Sequence, residues 1–244
     1  PMCRSVRDTE SVLTAIAGTD VLDPTARNKP FKRLRRRPRI AIPKNPTGKA
    51  MPEVIRNFRR SVEVLREFCD VVTGFTLPDH PYGAVFGAIY NGEAGAAFRE
   101  LIESGRSREL QSVDDRIGGY QFYGALAMDY VDGLRQRKIL NQAVYAALEP
   151  YDAVVFPTLA TVAYPVGKPF DQAYPKIEGG FSMGSSGNLA GVPALSIPNG
   201  FGENGLPTAL CLVGNPWAEL QVTAIAKGFQ QRTSFHQQHP HVGA

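Results

Sequence analysis

The side chains from which a reaction centre could be assembled are few and scattered. His236, His239 and His241 have a spacing that could hold a transition metal, but Pro240 and the nearby chain end predict a loose tail rather than a closed metal site. His80 stands in a Pro-flanked loop with no serine or cysteine beside it, so the chain offers no serine-histidine-aspartate arrangement by proximity. Cys3, Cys69 and Cys211 include no close pair, which excludes a redox or zinc Cys-x-x-Cys site and a disulfide framework. They fit a reducing compartment, and a cytoplasmic protein is expected. The glycine-rich runs at Gly179 and Gly184 lack the lysine and serine that a phosphate cradle needs in order. No catalytic residue, metal or cofactor is therefore assigned.

Any chemistry must be positioned by the elements around these residues. Ala194 to Ile197 and Thr208 to Val213 are apolar runs too short for helices and bounded by Gly and Pro, so they predict two buried strands. Pro198, Asn199, Gly200, Gly202, Asn204 and Gly205 between them predict a reversal, hence a hairpin. Ser5 and Asp8 have capping-box spacing before a short helix over 6–17, with Val12, Leu13, Ile16 and Ala17 on its apolar face. Arg39 to Pro43 predicts a strand. Pro52 opens a helix whose stripe is Val54, Phe58, Val62 and Leu65, and Asp70 to Phe75 predicts the next strand. Strand, helix, strand implies a parallel pair, so the fold class is α/β.

Helical spacing covers about 82–104 and 119–148, and Ala153 to Phe156 reads as a strand buried on both faces. Trp217 to Phe235 predicts a last helix, with Leu220, Ala224 and Gly228 on one side. Ligands of open α/β sheets gather beyond the carboxyl ends of strands, which makes Thr158 either a pocket residue or a plain strand-end turn. Asn188 can donate and accept a hydrogen bond, as a substrate contact or in a structural turn.

Two blocks, 188–201 (Asn-Leu-Ala-Gly-Val-Pro-Ala-Leu-Ser-Ile-Pro-Asn-Gly-Phe) and Gly205 to Gly214, resemble the C-terminal core of the amidase signature family, serine-dependent amidases that include the A-type component of glutamyl-tRNA(Gln) amidotransferase. Pro1 to Asp8, Arg39 to Pro43, Tyr130 to Arg137 and Tyr151 to Thr158 are similar to further blocks in the family's order. The resemblance implies one amidase-signature-like α/β/α domain over 1–244, its C-terminal portion, with a mixed, largely buried sheet flanked by helices. It implies that the nucleophilic serine, the cis-peptide serine and the lysine precede Pro1. By that order, Ser185 and Ser186 in Gly184-Ser-Ser-Gly187 are not the nucleophile. It also makes Arg116 similar to a position that binds a substrate carboxylate, the alternative being an ion pair with Asp114 or Asp115.

Length and composition agree with a folded chain, since 244 residues at 43% hydrophobic and 20% charged suffice for a sizeable core. No apolar run reaches the roughly 18 residues of a membrane span, so no membrane partner is expected. The basic residues Lys32, Arg33, Arg35, Arg36, Arg37 and Arg39 outnumber the whole chain's net charge of +4, so basicity is local. That argues for a solvated lead-in to a strand and against a nucleic-acid-binding face. The expected partners are a small-molecule amide and the missing N-terminal portion of the same protein; self-association is left open. The alternatives are a component of an amidotransferase complex, or a noncatalytic scaffold that contacts RNA.

Overall fold

A computed structural model describes all residues except 32, 169, 203, 204 and 239–244, and describes 113, 114, 170 and 171 by backbone only. In chain order its elements are α1 (Val6–Ile16), β1 (Arg39–Pro43), α2 (Pro52–Arg66), β2 (Asp70–Phe75), α3 (Tyr82–Ala97), α4 (Arg99–Glu103), α5 (Val113–Gly118), α6 (Ala127–Leu148), β3 (Ala153–Pro157), α7 (Phe170–Ala173), α8 (Gly184–Ala190), β4 (Ala194–Phe201), β5 (Pro207–Val213) and α9 (Glu219–Gln230). Short 3-10 turns lie at Arg106–Glu109, Gly119–Gly124 and Phe235–Gln237. These residues form two compact units. The first comprises Pro1–Thr76, Ala146–Met183 and Val192–Ala244, and the second Leu77–Tyr145 with Gly184–Gly191.

The first unit holds one five-stranded sheet in the order β2-β1-β3-β5-β4. β1 runs parallel to both β2 and β3, while β5 is antiparallel to β3 and β4, so the sheet is mixed. Alternation along the strands directs Ile40, Ile42, Val155, Ile197, Leu210 and Leu212 to a single apolar core, closed by Phe58 and Leu65 of α2 and by Val222, Ile225 and Phe229 of α9. Each full burial of such a side chain contributes about 1.5–3 kcal/mol. The predicted stripe of α2 is the buried one, with Val62 at its half-buried margin.

One helix face differs from expectation. α1 buries Val6 and Thr9, leaving Val12 and Ile16 exposed, because it docks on α9 through polar groups. The Gln230 side chain accepts from the Val6 N–H at 2.9 Å, and a Glu10 carboxylate oxygen accepts from Thr223 and Lys227, each at 2.7 Å. The Ser5 hydroxyl caps the first turn by accepting from Asp8 N–H. α9 turns Leu220, Val222, Ile225, Ala226 and Phe229 inward, and Ala224 and Gly228, which the spacing put on one side with Leu220, are half-buried.

The hairpin also differs in extent. β4 continues through Pro198, Asn199 and Gly200 to Phe201, with an irregularity between Pro198 and Gly200. β4 is an outer strand, where proline's missing N–H is tolerated. A buried polar network holds this stretch. Asn57 donates to the Thr208 hydroxyl at 2.9 Å, Thr208 donates to the Asn199 carbonyl oxygen at 2.7 Å, Asn199 donates to the Ser61 hydroxyl at 3.1 Å, and Ser61 donates to the Asn57 backbone at 2.8 Å.

The arginine run is more than a solvated lead-in. Arg36 makes two hydrogen bonds to the buried carboxylate of Asp152, at 2.7 and 2.9 Å, and the Arg39 N–H supplies a third at 2.7 Å. Arg37 donates to the carbonyls of Arg66, Glu67 and Cys69, satisfying the open C-terminal end of α2.

Candidate functional site

In the first unit the sheet opens at the end of β3. The Thr158 N–H donates to Ala209 O at 2.9 Å, which seats it one residue past the paired strand. Its hydroxyl lies 2.6 Å from the hydroxyl of Ser196 on β4. Phe156, Cys211 and Ser196 stand opposite one another across β3, β5 and β4. Ser196 is exposed and Thr158 half-buried, so two adjoining hydroxyls face outward on the sheet's last strands. One hydroxyl donates to the other, which leaves one O–H donor and the remaining acceptor lone pairs to hold an amide or carbonyl group. Cys211 does not compete as a nucleophile: burial pushes its thiol up to about 11.

Phe181 packs edge-on to Phe156 at 5.3 Å and to Phe75 at 5.7 Å on this unit. The loop that carries it is fixed where Phe181 N–H donates to Asn45 O, and Gly180 crosses the 45–48 loop so closely that an added Cβ would come within 2.5 Å of Gly48 N. Gly180, with Gly48 opposite, thus allows two backbones to cross. The glycines at 179–180 form no phosphate cradle.

Asn188 belongs to the second unit. The 184–190 stretch is a short helix, α8. Asn188 is exposed and donates to Gly184 O one turn back, at 2.6 Å. Arg137 Nε donates to Leu189 O at 2.7 Å and the Tyr145 hydroxyl to Ala190 O at 2.6 Å, so α6 caps the C-terminal carbonyls of α8. Gly191 follows at φ 64°, the left-handed stop that glycine adopts without strain. The Asn-Leu-Ala-Gly block is therefore a helix ending. Ser186 on the same helix is buried, its Oγ without a hydrogen-bond partner.

Arg116, also in the second unit, donates from Nε to Leu110 O at 2.6 Å and braces the turn before α5. No ion pair joins it to Asp115 among the described residues, and the Asp114 side chain lies outside them. Of the tail histidines, His239 and His241 lie outside the described residues, and no group of three or more metal-ligating side chains occurs within them. Among the described residues no helix is long and apolar enough to cross a membrane. Ser196 was missed in the sequence because a lone serine in an apolar run carries no sign of its cross-strand neighbour. Thr158 was singled out from strand position alone.

The amidase family model matches residues 1–223. The chain is 29% identical to the A-type component of the glutamyl-tRNA(Gln) amidotransferase of Moorella thermoacetica, over all of this chain and 56% of that protein. It is 28% identical to the same component of the Lysinibacillus sphaericus enzyme, over 98% of this chain and 55% of that one. It thus spans about half the length of the curated relatives it matches. Among solved structures, the native peptide amidase of Stenotrophomonas maltophilia superposes with a TM-score of 0.67 at 25% identity, covering 96% of this chain and 53% of that one. A further amidase superposes with a TM-score of 0.73 at 23% identity, over 93% of this chain and 51% of the other, a likeness of fold. The family match, carried by a mixed sheet with helices around it, places this chain in the amidase family, as its resemblance to the amidase-signature proteins implied.

Proposed function

We propose that residues 1–244 form the wall and part of the substrate-selecting surface of an enzyme hydrolysing small non-peptide amides, whose reacting groups lie in polypeptide outside these residues. The observation that carries this reading is the Thr158–Ser196 hydroxyl pair, open at the end of β3 in a chain of this family. A serine from the other portion attacks the amide carbonyl carbon. A second serine relays the nucleophile's proton to a lysine, which must be neutral to accept it and so needs burial or a neighbouring dipole to lower its pKa. Backbone N–H groups stabilise the oxyanion, the amine leaves with a proton, and water releases the acyl group.

Thr158 and Ser196 orient the amide. Asn188 contributes its side-chain carbonyl oxygen, and Arg116 its terminal N–H groups. The segment alone is inactive and needs its complement for solubility, and the assembled enzyme works in the cytoplasm. A second reading, a component of an amidotransferase complex, is favoured by the curated relatives, which are amidotransferase components.

The test is ammonia release from a panel of primary amides by the full encoded protein. Thr158→Val and Ser196→Ala are expected to raise KM about five- to tenfold, the loss of one hydrogen bond each, with kcat less affected. Absence of amide hydrolysis, or variants kinetically identical to the parent, would overturn the reading.

A further inference from the structure

The second unit contains a cleft that plays no part in the proposed amide hydrolysis. It encloses about 330 Å³ between α3, α4, α5 and the 3-10 turn after α5, the lower end of the range for small-molecule pockets. Its walls are mostly apolar and aromatic. Tyr90 meets Phe122 edge to face at 6.0 Å, and Phe86 stacks on Tyr90 at 5.6 Å, so these rings are held before any ligand arrives. Phe98 and Leu101 also line it. Phe98 is 54% exposed and Tyr90 48%, a concentration of open aromatic surface that water disfavours. Among the described residues Asp115 is the one charged side chain in the lining, and it has no ion-pair partner among them. Arg116 does not line the cleft; its Nε is committed to the carbonyl of Leu110.

We propose that this cleft binds a small aromatic ammonium compound, the ring seated among Tyr90, Phe98, Leu101 and Phe122 and the cation paired with Asp115. Ring burial supplies most of the affinity and the carboxylate supplies the sign. The faces of Tyr90 and Phe98 add cation-π attraction to the same charge. A ligand of equal shape bearing a carboxylate meets Asp115 as a repulsive neighbour. The proposal concerns binding alone. It stands or falls separately from amide hydrolysis.

Three probes of similar shape decide it: 2-phenylethylamine, 2-phenylethanol and phenylacetate, titrated into the full encoded protein by calorimetry or ligand-observed NMR. The amine is expected to bind about fivefold more tightly than phenylacetate, the size of one partly screened charge contact, with the alcohol between. Asp115→Asn should remove that preference while retaining binding. Gly118→Phe should abolish binding of all three, because a Cβ at Gly118 meets nothing within 4 Å and the ring would fill the cleft. Leu101→Trp is a second filling variant should the first alter the far-UV circular dichroism. No binding by the amine, equal affinity for amine and carboxylate, a preference that survives Asp115→Asn, or binding unaffected in a folded filling variant would each overturn the proposal.

Discussion

The β4–β5 hairpin meets polar side chains of its neighbours in two places, treated in opposite ways. Near its turn, Asn57, Ser61, Asn199 and Thr208 are 2–4% exposed and bonded in a closed circuit. At mid-length, Thr158 and Ser196 share one contact and otherwise look outward. A buried polar group must find its partners within the fold, so the first set fixes geometry; an exposed pair keeps capacity for something else. The difference separates the hairpin's scaffold from its candidate contact surface.

Breaking the buried circuit should show the largest effect. Asn199→Ala leaves Thr208 and Ser61 each short of a partner in a buried site, and is expected to lower unfolding free energy by about 3 kcal/mol, measured by urea denaturation. A loss below about 1 kcal/mol would mean that the circuit is not what holds the turn.

Arg36→Ala probes a second internal contact, in which a buried carboxylate meets an arginine that is itself largely exposed. Asp152 keeps the Arg39 N–H but loses two hydrogen bonds. A loss of about 2 kcal/mol is expected in the same assay, moderated by water reaching the cavity.

The exposed pair should respond in the opposite sense. Thr158→Val and Ser196→Ala are expected to shift stability by less than about 1 kcal/mol while changing the kinetics of the full protein. A stability loss matching that of Asn199→Ala would make the two sets one scaffold and remove the basis for calling Thr158 a contact residue.

The smallest effect sharpens the contrast from α1. Burial alone would raise the Glu10 pKa, but hydrogen bonds from Lys227 and Thr223 and their charge environment outweigh it, and the net shift is downward from 4.5. A depressed folded pKa means that the contact stabilises above the unfolded value and is lost as pH falls through the folded one. Stability between pH 6 and 3 should therefore fall slightly more in the parent than in Glu10→Gln, as compared by thermal melts.

Much of the frame was legible because it depends on local pattern. The stripe of α2 and the Gly- and Pro-bounded runs of β1, β3, β4 and β5 announced themselves by period and punctuation. What failed depended on distant partners. Gly184-Ser-Ser-Gly gave no helical signal, and it is helical where Arg137 and Tyr145 cap its far end. α1 exposes its more apolar residues because Glu10, Thr223 and Lys227 set its orientation. Arg36 and Arg37 looked like solvated charge until their acceptors, more than 25 residues away, were in place. Ser196 gains meaning only from a register across strands.

The central claim, that this portion selects substrate while the attacking group comes from elsewhere in the protein, is tested most directly by labelling the full encoded protein with a serine-reactive fluorophosphonate and locating the adduct by peptide mass spectrometry. The account predicts an adduct outside residues 1–244, its formation slowed by an amide substrate. An adduct on Ser185, Ser186 or Ser196 would contradict it.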